Sequence, residues 1–382
     1  MRSLRAAAAF CAATPHLLAS QHAGGEHLGW TVHGTAFVQF VRTTGSRGDY
    51  QLGSVNRLMV QSTTLAAGGM LRLHFMTSAE PITIGRTGYP ELLQVAFTDR
   101  NRPITDRSHP DHWVMNLAGT YEHPLAAGLG WALSLAPVGD PALGPVPYQH
   151  RPSATFNPLA PLGHHAQDDT HGSFGVATVG VFSRRVRIEA SAFNDRQPSN
   201  PQALFDYRGA RLDAYSGRIS VSPARGWNVS ASYGYLPATS GGHAHDAQHR
   251  MTAAVLYTHA AVTGPEWSLT AVYGVNRPLG APALPAALIE GAYGWDDEDY
   301  VAYGRVEHVR RSAAELDLVG SVSPTIDVTA ATAGMTRRIA TWGGLDVRLE
   351  AQYTVHFLPS ALDPFYGSRI AWSGVVASRI SR

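Results

Sequence analysis

The sequence predicts an all-β fold: a transmembrane antiparallel up-and-down β-barrel of about sixteen strands, with short periplasmic turns and long external loops. Three observations carry that prediction. From about residue 34 onward, segments of roughly ten residues alternate apolar and polar positions and break at turn residues. The apolar faces carry aromatic residues near their ends, as girdles at two bilayer interfaces require. Short and long connections also alternate along the chain, which sorts them onto opposite ends of a barrel.

In chain order, residues 1–20 read as a secretory signal peptide, with a basic start at Arg2 and Arg5, an apolar stretch from Ala6 to Ala13 and small residues near Ala19. Residues 21–33, with His22, His27 and His33 among glycines, read as a short periplasmic tail. The barrel then occupies 34–382. Strands are expected at 34–45, 52–66, 70–82, 112–123, 129–137, 173–184, 185–194 and 211–222, then 226–236, 250–262, 266–276, 286–295, 300–311, 325–338, 345–358 and 369–380. The pattern is plainest in Leu345, Val347, Leu349, Ala351, Tyr353, Val355 and Phe357, which alternate with Asp346, Arg348, Glu350, Gln352, Thr354 and His356. Trp227, Val229, Ala231, Tyr233 and Tyr235, and again Trp267, Leu269, Ala271, Tyr273 and Val275, repeat it with aromatics toward the ends.

Connections after even-numbered strands are short, such as Ala66-Ala67-Gly68-Gly69 and Ser183-Arg184-Arg185. Those after odd-numbered strands are mostly longer, above all 83–111 and 138–172. A soluble sandwich or propeller has no reason to segregate its loops in this way, whereas a barrel with short periplasmic turns does.

Composition excludes other classes. Charged residues are 15% and the formal net charge is +1, with no basic cluster among aromatics, so no nucleic-acid partner is expected. No stretch of about 18 apolar residues exists to form a membrane-spanning helix. Cys11 is the only cysteine, so there is no disulfide framework or CxxC pair. Every basic residue other than histidine is Arg.

Alternation puts Arg72, His74 and Met76 on the inner face, with Arg187, Glu189, Arg218, Glu290, Arg305, Glu307, Asp346, Arg348 and Glu350. An Arg facing lipid costs about 2–4 kcal/mol at the midplane, so the membrane drives these charges inward. Arg72, Arg187, Glu189, Arg218, Glu290, Arg305, Glu307, Arg348 and Glu350 are therefore expected to line a water-filled pore, since a barrel this wide is not filled by wall side chains alone. The long connections are proline-rich and partly apolar, which favours packed loops over disorder, with 138–172 folding into the mouth.

Several strings carry a resemblance. Gly53-Ser54-Val55-Asn56, Arg86-Thr87-Gly88-Tyr89-Pro90-Glu91-Leu92-Leu93-Gln94, Ser108-His109-Pro110-Asp111-His112, Asn157-Pro158-Leu159-Ala160-Pro161-Leu162-Gly163-His164-His165 and Tyr303-Gly304-Arg305-Val306-Glu307 resemble a family of poorly characterised bacterial outer-membrane β-barrel proteins often associated with heavy-metal and copper-resistance loci. The resemblance covers most of the chain from about residue 33. It implies a barrel in the bacterial outer membrane and a link to metals, and brings no assigned activity. Where relatives show His-Pro-His-Asp, this chain has His109-Pro110-Asp111-His112, and it ends in Ile380-Ser381-Arg382 rather than an aromatic.

Eighteen histidines gather mainly in loops. His109, His112, His150, His164, His165, Asp168 and His171 could supply donors for a Zn or Cu ion, the one candidate cofactor, although HExxH and cysteine-bearing zinc patterns are absent. Loop histidines equally serve as hydrogen-bond partners that pin a mouth. No GxSxG is present, and pairs such as Ser153 with His150 or His356 with Ser360 arise by chance in a long chain, so an enzyme is not expected. The expected function is a porin-like barrel passing small or ionic solutes, connected with heavy-metal handling. The alternative is a metal-binding accessory without a conducting pore. Its partners would be outer-membrane lipid and lipopolysaccharide, the barrel-insertion machinery, and small solutes or metal ions.

Overall fold

The computed structural model of the chain describes residues 28–99, 102–168, 172–195, 211–239, 245–259, 266–318, 320 and 323–382. Its strands are β1 (Gly29–Thr43), β2 (Tyr50–Ala66), β3 (Gly69–Thr77), β4 (Tyr89–Asp99), β5 (Arg102–Ser108), β6 (Val114–Pro124), β7 (Gly130–Gly139), β8 (Ser173–Phe182) and β9 (Val186–Phe193). They continue with β10 (Ala214–Val221), β11 (Trp227–Leu236), β12 (Gln248–His259), β13 (Glu266–Pro278), β14 (Leu284–Trp295), β15 (Tyr300–Ser312), β16 (Thr325–Trp342), β17 (Leu345–Phe357) and β18 (Ile370–Ser381). All but β4 and β5 form a closed antiparallel barrel of sixteen strands. Closure joins β1 to β18, from Thr35 opposite Ser381 to Thr43 opposite Ser373. In hydrocarbon an open edge would leave backbone groups without partners, so closure is what lets the sheet span.

One end of the barrel carries short turns. At Ala67-Gly68 and Gly343-Gly344 both turn residues have positive φ (46° and 81°, 59° and 81°), the backbone that a two-residue hairpin needs to match strand twist. Gly344 fits that demand without strain, and Ala67 is the exception. The other end carries the long loops.

Outward side chains are apolar, including Leu73, Leu135, Val179, Ile188, Ile289, Leu349 and Val376. At the turn end they become an aromatic belt. The ring centroids of Trp227 and Tyr257 lie 4.7 Å apart, those of Tyr257 and Trp267 4.8 Å, and those of Trp295 and Tyr300 5.6 Å. At the loop end Tyr353 stacks on Trp372 at 5.7 Å and Tyr233 on His249 at 5.6 Å. Aromatic rings suit the headgroup layer, having an apolar body and a polar edge.

All sixteen expected barrel strands form, with shifted ends. The expected tail 21–33 is corrected in part: residues 29–33 already belong to β1, paired with β2 from Gly29 opposite Thr63. The expected signal peptide and the rest of that tail lie outside the described residues. The strand expected at 70–82 ends at Thr77, and a helical turn, Glu80–Thr83, follows. The loop expected at 83–111 holds a hairpin, β4 paired with β5, at the loop end. Its Leu92, Leu93 and Val95 bury with Leu162, Leu316, Leu318, Leu358, Leu362 and Tyr366 in one apolar cap.

The two faces can be tested on neighbouring residues of β7. Leu135 is 55% exposed on the outside, while Ser134 lines the interior. Leu135→Arg is expected to lower stability in lipid bilayers by about 2–4 kcal/mol, and Ser134→Arg by well under that. Equilibrium unfolding from liposomes measures both, and equal losses would contradict the assignment of faces.

Candidate functional site

Residues 140–168, between β7 and β8, turn into the barrel and cross its interior as a plug. Six prolines, at 141, 145, 147, 152, 158 and 161, deny the segment a regular ladder. Its backbone groups therefore need partners on the wall. The wall supplies them: Ala142 N donates to Ser191 Oγ at 2.7 Å, Gly144 N to Ser232 Oγ at 2.8 Å, and Asn276 Nδ2 to His165 O at 2.8 Å. Arginines grip the carbonyls. Arg305 reaches Leu159 O at 3.2 Å and Ala160 O at 2.9 Å, Arg57 reaches Gln149 O at 2.9 Å, and Arg311 holds Leu162 O.

The plug returns one cation of its own. Arg151, fully buried, places Nε 2.7 Å from Glu290 Oε1 on β14 and Nη1 2.7 Å from Asp168 Oδ2. Asp168 Oδ1 in turn meets His164 Nδ1 at 2.5 Å. Such a buried set survives because each charge is compensated, and removing one member typically costs about 3–5 kcal/mol.

Between the plug and the wall lies a cavity of about 910 Å³. Toward the turn end residues of nearly every barrel strand line it, and it rises along β3 and β6–β8 to Met76, Asn116 and Asp140 near the loop end. Of the nine charges expected to line the pore, Arg72, Arg187, Glu189, Arg218 and Arg348 border this cavity, as does the inward Asp346. Four of them form a chain with Glu122: Arg72 to Glu122 at 3.0 Å, Arg187 to Glu122 at 2.7 Å and to Glu189 at 2.9 Å, and Arg218 to Glu189 at 2.9 Å. The remaining four are spent on structure. Glu290 holds Arg151, Glu307 lies 2.8 Å from Arg305, and Glu350 takes the Tyr303 hydroxyl at 2.8 Å.

The candidate metal set is only partly assembled. His109, His164 and His165 gather with ring centroids 5.3–6.4 Å apart. His112 meets the edge of Phe174 and His150 borders the cavity, while His171 lies outside the described residues. Among the described residues no three His, Cys, Asp or Glu side chains are disposed to hold an ion. The Arg151 guanidinium at Asp168 adds positive charge where a cation would sit. The chance dyads part as well: Ser153 Oγ lies 2.7 Å from Thr270 Oγ1 and 3.1 Å from Glu290, and His356 Nε2 lies 3.1 Å from Ser373 Oγ.

Burial tunes the loop-end groups. It pushes the His109 imidazole down to about 3, helped by the neighbouring His165, so this ring is neutral. It pushes the Glu91 carboxyl up to about 8, and Arg305 offsets the shift only in part. Glu80 is raised as well, by burial and by the Asp111 carboxylate.

Sequence reasoning missed Arg57, Glu122, Arg151 and Arg379. The parity of Arg57 with Val55 and Met59, and of Arg379 with Val375 and Ala377, was a readable signal for two of them. Arg151 sits in a segment with no period to read.

No protein-family model matches the chain, and no curated protein does. Solved structures do match in fold. OprB of Pseudomonas putida aligns over 92% of this chain and 94% of its own, with TM-score 0.57 and 11% identity. An anion-selective porin from Comamonas acidovorans aligns over 92% and 99%, with TM-score 0.55 and 10% identity. OmpF of Salmonella typhi, solved with daunomycin, aligns over 92% and 97%, with TM-score 0.53 and 11% identity. The chain thus has the fold of outer-membrane porins.

Glu91 gives a pH test. Its folded pKa, about 8, lies above the unfolded value of about 4.3. The native state therefore holds the proton more tightly, and stability from this group is full below about pH 4.3 and lost as pH rises through 8. Glu91→Gln is expected to match the parent near pH 4 and to exceed it at pH 8, by as much as about 5 kcal/mol. Urea midpoints at pH 4, 6 and 8 measure this, and a pH-independent difference would refute it.

Proposed function

We propose that this chain is a porin-like channel of the bacterial outer membrane that passes small or ionic solutes, with the turn end in the periplasm and the loop end outside. The observation that carries the reading is the cavity between plug and wall, bordered along its length by charged and polar side chains. A sixteen-strand lumen is too wide for wall side chains to close. The plug narrows it from one side and leaves the β3–β8 side for solute. The likeness to porins supports the fold from which this reading starts.

The ion-paired chain of Arg72, Arg187 and Arg218 with Glu122 and Glu189 holds three cations against two anions. Its excess positive charge favours anions in the passage. Purified protein in planar bilayers is expected to give discrete conductance steps with anion preference. Arg72→Gln together with Arg187→Gln should shift the reversal potential in a salt gradient toward cations. Folded protein that gives no steps would refute the channel.

A second reading, a metal-binding accessory without a pore, is favoured by the close imidazole rings of His109, His164 and His165. Equilibrium dialysis against Zn(II) and Cu(II) separates the two. Tight binding lost in His164→Ala/His165→Ala, without conductance, would favour the accessory.

A further inference from the structure

Opposite the paired arginines of β3, β9 and β10, the turn half of the cavity has a second basic wall whose charges are not neutralised in the same way. Arg338, Arg348 and Arg379 stand side by side on β16, β17 and β18, Arg338 opposite Arg348 and Arg348 opposite Arg379 in the ladder. Like charges directly opposite on neighbouring strands repel. Arg338 is committed to the adjoining turn, with Nε 2.7 Å from Asp299 Oδ1 and Nη2 2.7 Å from Asp297 O. It is also 3.4 Å from Asp346.

The other two are left over. Among the described residues Arg348 has only Asp346, at 4.0 Å, and Arg379 has no carboxylate within ion-pair distance. Both are buried, at 2% and 7% exposure, and both border the cavity. Among the described residues Arg348 Nε and Nη1 and Arg379 Nε have no hydrogen-bond acceptor. Arg57, also on the cavity surface, holds the plug carbonyl of Gln149. The nearby Glu350 is engaged by Tyr303. Phe156 of the plug lies over the pair, its ring centroid 5.5 Å from the Arg348 guanidinium and 4.8 Å from that of Arg379.

An aromatic face attracts the cations but accepts few of their N–H groups. Buried charge-bearing donors without acceptors are costly, and a planar guanidinium fork matches an oxyanion in two hydrogen bonds at once. We propose that Arg57, Arg348 and Arg379, roofed by Phe156, form a binding site in the turn-end vestibule for an oxyanion, the carboxylate or phosphate group of a small solute. The proposal deepens the channel reading by naming what the vestibule holds, and it places the site below the plug, away from the narrowest part of the lumen. Once bound, the anion screens the in-register repulsion of Arg348 and Arg379, so binding and stability are linked.

The test uses full-length protein refolded in detergent micelles. Its thermal midpoint is titrated with inorganic phosphate and with succinate against chloride at matched ionic strength. The parent is expected to show a saturable rise with at least one oxyanion, and the arm that saturates at lower concentration identifies phosphate or carboxylate as the preferred group. Arg379→Gln and Arg348→Gln should each weaken the response at least tenfold. Neither change should unfold the barrel, because each removes a repelled charge. Arg310→Gln on the outer surface should retain the response. The proposal is overturned if the parent responds to oxyanions no more than to chloride. It is overturned too if Arg310→Gln loses the response as fully as Arg379→Gln, which would make it diffuse charge. Conductance is read on the same preparation: binding without conductance removes the channel and leaves the site, and conductance without binding does the reverse.

Discussion

Hydrocarbon offers no hydrogen-bond partners, and the rest of the structure follows from that constraint. Every backbone donor and acceptor at membrane depth has to be paired within the protein, so β1 meets β18 and the sheet has no edge. The same constraint sorts side chains. Positions of one parity meet lipid and are apolar, and positions of the other parity collect the arginines and carboxylates that lipid would reject. Closing at sixteen strands fixes a lumen wider than side chains can fill, and the plug answers that width.

The plug is a segment without regular structure inside a polar tube, and the character of the cations explains how it is held. The basic side chains other than histidine are all arginine, each offering several N–H groups in a rigid plane. Arg305 can thus satisfy two plug carbonyls while remaining beside Glu307, and Arg151 can bridge two carboxylates. The loop end uses one carboxylate in a comparable way. Asp106 accepts from Leu93 N at 2.7 Å, from the Tyr366 hydroxyl at 2.8 Å and from Arg47 at 3.1 Å, while Arg47 also reaches Leu316 O at 2.8 Å. Four connections between barrel strands are joined through that acid and its arginine.

The barrel was legible because each wall strand has two solvents, one per face, and alternation records both. The hairpin β4–β5 was not legible, since Leu92, Leu93, Gln94 and Val95 are all buried against other loops and alternation vanishes. Leu93 and Asp106 also adopt positive φ, and the pairing slips in register. The entry of 138–172 into the mouth could be read from its length and prolines. Its contacts could not, because Glu290 and Arg151 are brought together only by closure of the barrel. The inward charges were legible as a face, but which of them border open space and which grip the plug depends on where the plug lies. Which of the loop histidines face one another was not legible, because spacing along a loop does not fix which way each ring turns.

The aromatic belt at the turn end has an optical consequence. Trp30, Trp131, Trp227, Trp267, Trp295 and Trp342 all stand on strand ends beside the short turns, and only Trp113 and Trp372 stand at the other rim. Intrinsic fluorescence of the folded protein is therefore dominated by one leaflet. A quencher confined to that leaflet would darken most of the emission, and the same quencher in the opposite leaflet would leave most of it intact, so the native indoles report the direction in which the barrel has inserted.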